Sequence, residues 1–502
     1  MEIFSEVLHI FLSLDNFLAI AVGVVIGVVV GSIPGLTATM AVALALPFTF
    51  SMQPVAAILL LVGIYKGGMY GGSITAILIR TPGSPANACT LLDGYPMAQQ
   101  GHAKKALKMS LYSSCIADFI SNIALIFFAA YLAKLALSFG APEFFWLICF
   151  SLTIIISLAS GSMIKGLLAA LMGILLSMVG LDVVYGSQRL TFGNYNLMDT
   201  ISFIPLLIGL FALPEIMEFY RKKALPHLKT KASGVGVTLA EMKRSMKSIV
   251  RGSLIGVIIG AIPGTGATAA AFISYSDARR RSPNKANFGK GEVEGVAAAE
   301  AGNNGVAGAT MIPLLSLGIP GDVITAIILG AFMVHGLSPG PIMFQENLPL
   351  IYALFIGIMF SSVLLLVVGN MAIKYFSVIA DIPKSILFPI VLMFCVYGAY
   401  AVNNDTFDIW LMLAFGVLGY IFNRAAIPAA PFLIGFILGP MFEDNLRRSL
   451  LIGSNDLSIF VRGPITWFFI ALTAGSILLA IYRYVMAQRM ARRAADTSQE
   501  AS

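Results

Sequence analysis

Charge is scarce in this chain: 11% of its 502 residues are Asp, Glu, Lys or Arg, against about 25% in an ordinary soluble domain. With 58% hydrophobic residues and a mean hydropathy of +0.88, polar groups are too few to cover a water-exposed body of 53.5 kDa. That excludes a soluble enzyme, a disordered chain and a nucleic-acid-binding protein. Cysteine is also rare. Cys89, Cys115, Cys149 and Cys395 lie in or beside apolar stretches without paired spacing, so they read as packing residues rather than a disulfide frame or a thiolate metal site. His9, His102, His227 and His335 are scattered and form no metal or catalytic set. An H-E-x-x-H helix, a G-x-S-x-G elbow, a paired acidic motif and a phosphate loop are all missing. A membrane enzyme and direct ATP hydrolysis are thereby excluded, and no cofactor is expected. The N-terminus lacks the basic region of a cleavable signal and carries Glu2, Glu6 and Asp15 instead. There Ile3, Phe4, Val7, Leu8, Phe11 and Leu12 recur at the spacing of a helix lying on a bilayer surface.

What the chain has in quantity is apolar sequence, with 48 glycines and 23 prolines set into it. Crossing a bilayer takes a helix of about 20 residues. Candidate stretches occur near 106–137, 142–158, 163–180, 201–220, 349–380, 383–402, 408–422, 429–442 and 465–486. Regions 17–92 and 249–334 are apolar too, but Gly and Pro interrupt them in matching places. An all-α polytopic membrane protein with broken helices is expected.

The matching places point to an internal duplication. G-V-V-I-G-V-V-V-G-S-I-P-G-L-T-A-T (Gly23 to Thr39) aligns with G-S-L-I-G-V-I-I-G-A-I-P-G-T-G-A-T (Gly252 to Thr268). R-T-P-G-S-P (Arg80 to Pro85) aligns with G-I-P-G-D (Gly318 to Asp322), and P-L-L-I-G-L-F-A-L-P (Pro205 to Pro214) with P-F-L-I-G-F-I-L-G-P (Pro431 to Pro440). Equivalent loops differ in charge. Loop 94–108 carries Lys104, Lys105 and Lys108, whereas 336–348 has no basic residue; 48–54 is uncharged, whereas 277–296 carries Arg279, Arg280, Arg281, Lys285 and Lys290. Basic loops stay in the cytoplasm, so the halves are expected to be inverted repeats. The expected division is residues 1–220 and 249–445 for the repeats, a basic cytoplasmic linker at 221–248, and an extra helix with a cytoplasmic tail at 446–502. If 17–47 is a re-entrant hairpin and 53–92 one broken crossing, there are about 11 crossings, with the N-terminus periplasmic and the C-terminus cytoplasmic. Arg447, Arg448 and Arg462 fall on the outer side and count against this topology.

Inverted repeats with discontinuous helices are the architecture of secondary transporters, although channels also use duplicated bundles. The breaks are S-I-P-G-L-T (32–37), T-P-G-S-P (81–85), A-I-P-G-T-G (261–266) and G-I-P-G-D (318–322). Pro-Gly stops a helix, and the helix restarting beyond it offers free N–H groups and partial positive charge to a carboxylate. A helix ending there offers carbonyls to Na⁺. The bland alternative is ordinary surface turns. On the first reading, Pro34, Gly35, Thr37, Thr81, Pro82, Gly83, Ser84, Pro263, Gly264, Thr265, Pro320 and Gly321 line a carboxylate site, and Thr39, Thr268, Gly318 and Asp322 are the Na⁺ candidates. Two glycine-rich polar stretches, 65–75 and 300–310, add Lys66, Gly67, Gly68, Ser73, Asn303, Asn304 and Thr310. Small residues also serve helix packing, which is the equal alternative for these stretches and the preferred reading of Gly23, Gly27, Gly31, Gly252, Gly256 and Gly260. Lys66 either attracts an anion or is neutralised by Asp118; for Asp118 the structural pairing is preferred.

G-G-S-I-T-A-I-L-I-R-T-P-G-S-P, L-D-G-Y-P-M-A-Q-Q-G (92–101) and G-N-N-G-V-A-G-A-T-M-I-P-L-L-S-L-G-I-P-G-D resemble the large membrane subunit of tripartite tricarboxylate transporters, the TctA family, over nearly the whole chain. The resemblance implies a bacterial inner-membrane permease working with a small TctB-like membrane subunit and a periplasmic TctC-like solute-binding protein. It implies import of di- and tricarboxylates such as citrate, driven by an ion gradient, usually Na⁺. Asp322 stands where that family's pattern has a small polar residue, as either an N-cap or a cation ligand. The alternative is a self-sufficient carrier or channel for another small organic anion.

Overall fold

Most helix ends fall close to where the apolar stretches set them, but the last two long helices run past their stretches to Ile452 and Glu500. The computed structural model describes residues 2–158, 162–182, 186–221, 234–380 and 384–500; His227 and the linker residues 222–233 lie outside the described residues. α1 (Glu2–Phe11) is a helix of its own, separated by a turn from α2 (Leu14–Gly31), which Ser13 caps by accepting from the Asn16 N–H. After the first break, Thr37 caps α3 (Ala38–Ala45) in the same way, through the Met40 N–H. A proline, tolerated in a helix's first turn because no partner is lost there, opens α4 (Pro54–Ile79). Beyond the second break come α5 (Asn87–Gln99), the long α6 (Ala103–Ala136), α7 (Ala141–Leu158) and α8 (Met163–Ser177). Stretch 201–220 folds as α9 (Phe203–Leu207), a π turn at Ile208–Ala212 and α10 (Leu213–Arg221). Among the described residues, one departure from helix is an antiparallel hairpin of β1 (Gly180–Leu181) and β2 (Gln188–Arg189), with Gly180 opposite Arg189 and Leu181 opposite Gln188.

A capping box starts α11 (Leu239–Gly260): the Thr238 side chain accepts from the Glu241 N–H while Glu241 reaches back to the Thr238 N–H. The expected linker 221–248 therefore overlaps the first turns of this helix. The third break leads into α12 (Gly266–Arg281), followed by α13 (Val293–Ala309) and α14 (Met311–Leu317). After the fourth come α15 (Val323–Val334), α16 (Met343–Glu346), α17 (Leu348–Ala380), α18 (Lys384–Asn403), α19 (Thr406–Arg424), α20 (Ala429–Ile452) and α21 (Pro464–Glu500). Among the described residues, 7 helices are long and apolar enough to cross a membrane, within α2, α4, α6, α17, α18, α19 and α21. The chain is an all-α, multi-pass membrane protein.

Contacts divide it into two units, Met1–Leu137 with Ser202–Ile421, and Ser138–Ile201 with Phe422–Ser502. In the first, α2 lies along α4 at glycine-to-glycine distance. A Cβ at Gly31 would stand 2.5 Å from the Gly68 carbonyl oxygen, and one at Gly71 2.6 Å from that of Val28; at Gly23 and Gly27 it would overlap the Leu60 and Ile64 oxygens. α11 meets α13 similarly, with Gly256 against Gly302 and Gly305. Packing is thus the role of the spaced glycines. Every residue of α13 and all of Val55–Leu78 in α4 are buried, and Tyr70, Ile74, Leu107, Leu111, Val296 and Leu365 are part of the core around these two helices. In the second unit, α20 packs on α8 through Gly173 and Gly435. There Asp182 and Glu443 both pair with Arg447, at 2.7 and 2.6 Å, and Arg189 joins Glu443 at 2.7 Å. Arg448 and Arg462 pair with Asp444 and Asp456.

Candidate functional site

All four Pro-Gly stretches interrupt helices where expected. In the first and third, Gly35 (φ 92°) and Gly264 (φ 80°) adopt the left-handed conformation that a side chain resists. The breaks meet in pairs. Gly264 donates its N–H to the Gly321 carbonyl at 2.7 Å. Gly83 donates to the Gly72 carbonyl at 3.3 Å, and a Cβ on it would stand 3.3 Å from the Gly31 oxygen. Gly83 and Gly321 are glycines because protein fills the space beside them: a Cβ would come to 2.5 Å from the Gly72 Cα, or 2.7 Å from the Thr310 Cβ. Pro34, Pro263 and Pro320 are buried, Thr81, Pro82, Ser84 and Thr265 are half-buried, and Gly35 is exposed. The Thr265 hydroxyl donates to the carbonyls of Ile259 and Ile262, tying the third break to the end of α11.

Asp322 is the N-cap of α15. Its Oδ1 accepts from the Thr325 N–H at 2.7 Å, its own N–H donates to Thr325 Oγ1 at 2.8 Å, and its Oδ2 accepts from the Tyr65 hydroxyl at 2.8 Å. Of the other Na⁺ candidates, Thr39 stands in the first turn of α3, Thr268 in the first turn of α12, and Gly318 at the end of α14, in the same break as Asp322. Among the described residues no group of three or more His, Cys, Asp or Glu comes together.

Lys66 is 2% exposed, and its ammonium donates to Asp118 at 3.0 Å, to Asn122 Oδ1 at 2.9 Å and to the Ile358 carbonyl at 3.0 Å. Ser362 donates to Asp118 Oδ2 at 2.6 Å, and Asp118 Oδ1 lies 2.9 Å from the Lys66 ammonium. The structural pairing therefore holds, and the three protons of Lys66 are all taken. Gly67 and Gly68 face protein as well: a Cβ would meet the Val24 oxygen at 2.5 Å or the Ala38 Cβ at 2.6 Å. At these two positions packing is what the structure displays. Thr310 is covered by Gly321 and donates to the Ala307 carbonyl. Ser73 accepts from Asn87 Nδ2 at 2.7 Å, and Ser84 donates to Asn87 Oδ1 at 2.6 Å, so Asn87 ties the second break to α4.

The row of polar groups along α13 is the least expected feature. α5 and α12 run antiparallel to it. Asp93 Oδ1 accepts the N–H groups of Gly289, Gly291 and Glu292, each at 2.8 Å, and its Oδ2 accepts from the Tyr275 hydroxyl. Cys89, Ala271 and Ala299 pack together nearer the breaks, and Thr90 donates to Glu300. One turn further along α13, Asn303 falls level with the first turns of α5 and α12. It is 1% exposed, and neither its Oδ1 nor its Nδ2 has a partner in the protein. Leaving a buried amide unpaired costs about 1–3 kcal/mol. Its neighbour Asn304 is engaged, donating to Ser114 Oγ at 2.8 Å and to the Glu300 carboxylate at 3.2 Å. Glu300, Thr90, Ser114, Asn87, Asp93 and Tyr65 were not among the expected site residues. Glu300 did carry a signal, an ionisable group inside an apolar segment. Thr90, Ser114, Asp93 and Tyr65 are ordinary polar residues until their partners, far away in sequence, are known, and the partners of Asn87 lie across a helix break.

A multi-pass helical membrane protein with paired breaks inside its buried helices is the class this fold defines. Residues 17–434 match the family described as Tripartite tricarboxylate transporter TctA family, and the chain belongs to it. It is thus a membrane component of a transporter that has other subunits and a substrate. The chain is 36% identical to a 52.8 kDa protein of Agrobacterium vitis named for the TAR-I ttuC' 3'region, over 93% of each chain. It is also 36% identical to a protein of the same organism named for the TAR-II ttuC' 3'region, over 47% of this chain and 97% of that one. No solved structure matches the chain.

Proposed function

We propose that the chain is the permease subunit of a bacterial inner-membrane importer of di- and tricarboxylates such as citrate, driven by an ion gradient, with Na⁺ as the coupling cation. A periplasmic solute-binding protein delivers the substrate and a small membrane subunit completes the transporter. The observation that carries this reading is the unpartnered amide of Asn303, level with the first turns of α5 and α12. Two helix N-termini favour an anion by about 0.3–1 kcal/mol each, more when partly buried. A neutral amide adds hydrogen bonds without the tight hold of a fixed cation, so the carboxylate can leave again. Thr268, exposed in the first turn of α12, and Ser84, before α5, extend the polar lining.

The reading also takes residues 1–220 and 249–445 as inverted halves, with the N-terminus periplasmic and the C-terminus cytoplasmic. Supporting it is the shared order of elements: a glycine-lined helix (α2, α11), a short helix after a break (α3, α12), a buried broken helix (α4 with α5, α13 through α15) and a long helix (α6, α17). The test is uptake of labelled citrate into proteoliposomes, assembled with and without the binding protein and the small subunit, under an inward Na⁺ gradient. Uptake is expected only in the complete system. Uptake by the chain alone would favour a self-sufficient carrier, and no uptake of any di- or tricarboxylate would overturn the substrate class.

A further inference from the structure

We propose that Glu300 holds the coupling Na⁺, in a cage of oxygen atoms from α4, α5, α6 and α13; the proposal rests on the ion-driven reading above. Glu300 is fully buried. The Thr90 hydroxyl of α5 donates to its Oε1, the Ser114 hydroxyl of α6 donates to its Oε2 at 3.0 Å, and Asn304 Nδ2 reaches the same oxygen at 3.2 Å. Ser73 of α4 stands beside the same carboxylate. Every one of these groups is neutral. Among the described residues no Lys, Arg or His forms an ion pair with Glu300, whereas Asp118 has Lys66, Glu292 has Arg244 and Asp277 has Arg280 and Arg281.

A carboxylate this deep, without a fixed cation, is costly unless a cation arrives from outside. The donor set suits Na⁺, a hard cation. Hydroxyls donate to the carboxylate when no cation is present and, on turning, present lone pairs to one. The two Glu300 oxygens with Ser73, Thr90 and Ser114 Oγ atoms then form an all-oxygen shell. Its position supplies coupling. Glu300 is one helical turn from Asn303, so a bound positive charge raises the affinity of an anion there, and the anion raises that of the cation. The cage also ties α5, which restarts after the second break, to α13, so occupancy bears on how those helices join.

The experiment uses the full-length chain in lipid nanodiscs and reads ²²Na⁺ binding by scintillation proximity, together with the melting temperature in NaCl and in choline chloride. Saturable ²²Na⁺ binding and a Na⁺-dependent rise in melting temperature are expected for wild type. Glu300→Gln should weaken ²²Na⁺ binding more than 10-fold while melting in choline no lower than wild type. Glu300→Asp should keep partial binding, and Ser114→Ala and Thr90→Val should each weaken it several-fold. Wild-type affinity in a folded Glu300→Gln, or in both hydroxyl variants, overturns the proposal. Absence of ²²Na⁺ binding to wild type overturns it too. If citrate uptake then runs on a proton gradient, the carboxylate-import reading survives; if no cation gradient drives uptake, the ion-driven reading fails separately.

Discussion

Several carboxylates are buried around the central helices; two of them, Asp118 on α6 and Glu300 on α13, differ in what surrounds them. Asp118 is closed off by the Lys66 ammonium, with Asn122 and Ser362 finishing the shell. Among the described residues, the hydrogen-bond partners of the Glu300 carboxylate are hydroxyls and an amide. The first is a complete ion pair whose charges cancel inside the protein, and it joins α4, α6 and α17. The second leaves a charge for something outside the protein to balance. A transporter needs both: fixed pairs that keep polar helices in register, and unbalanced groups that a travelling ion or substrate completes. Asn303, with neither amide atom engaged, is the neutral counterpart of the second kind.

Breaking the closed pair should have the largest effect. Lys66→Met leaves Asp118 buried without its cation and should cost about 3–5 kcal/mol of stability, read by thermal or denaturant unfolding in nanodiscs. The double variant Lys66→Met/Asp118→Leu should recover most of that loss. A single variant as stable as wild type would show that the pair is not closed in the way described. A smaller effect is expected where α2 meets α4. Gly27→Ala places a methyl group on the Ile64 carbonyl oxygen and should cost about 1–3 kcal/mol, whereas Gly475→Ala, with open space beside it, should cost nothing measurable. Smallest is a pH effect far from both carboxylates. Burial opposes ionisation of Glu241, but hydrogen bonds from Lys105 and Thr238 outweigh it and hold the carboxyl below its usual range. A depressed acid contributes stability above its unfolded pKa and loses it as pH falls through the folded one. Glu241→Gln should therefore lower the melting temperature modestly at pH 7 and flatten its decline below about pH 4.3, the ordinary Glu value, so that variant and wild type converge at low pH.

The helices and their breaks were legible because their causes are local. Pro-Gly pairs end helices whatever surrounds them, and glycines spaced by four on an apolar helix announce close packing, as Gly23, Gly27 and Gly31 do against α4. The pairing of Lys66 with Asp118 was legible as well, since an ionisable group in an apolar segment must find a counterpart. Legibility ended where one residue has two uses that only a distant neighbour decides. Gly67 and Gly68 sit in a polar, glycine-rich stretch, yet they serve the approach of α2 and α3. Gly83 and Gly321 keep room for a helix backbone beside them, so valine there would disturb packing and substrate approach together. Glu300 finds Thr90 and Ser114 more than half a repeat away in sequence, which no local pattern discloses. The β1–β2 hairpin and the π turn at Ile208–Ala212 carry no such signature either.

The central claim, that a substrate carboxylate completes Asn303 between the first turns of α5 and α12, is tested most directly by binding to variants that separate function from stability. Removing an unpaired buried amide should not harm the fold, so Asn303→Leu should melt at or above the wild-type temperature. The same change should weaken citrate binding about 10-fold or more, as expected when a charged group loses a hydrogen-bonding partner worth about 1.5–3 kcal/mol. Asn303→Asp, which sets a like charge beside the carboxylate, should weaken it further. The measurement is equilibrium binding of labelled citrate to the full-length chain in nanodiscs, at saturating Na⁺, for wild type and both variants. A stable Asn303→Leu with lost binding is the predicted result; a stable Asn303→Leu that binds citrate as tightly as wild type would contradict the account.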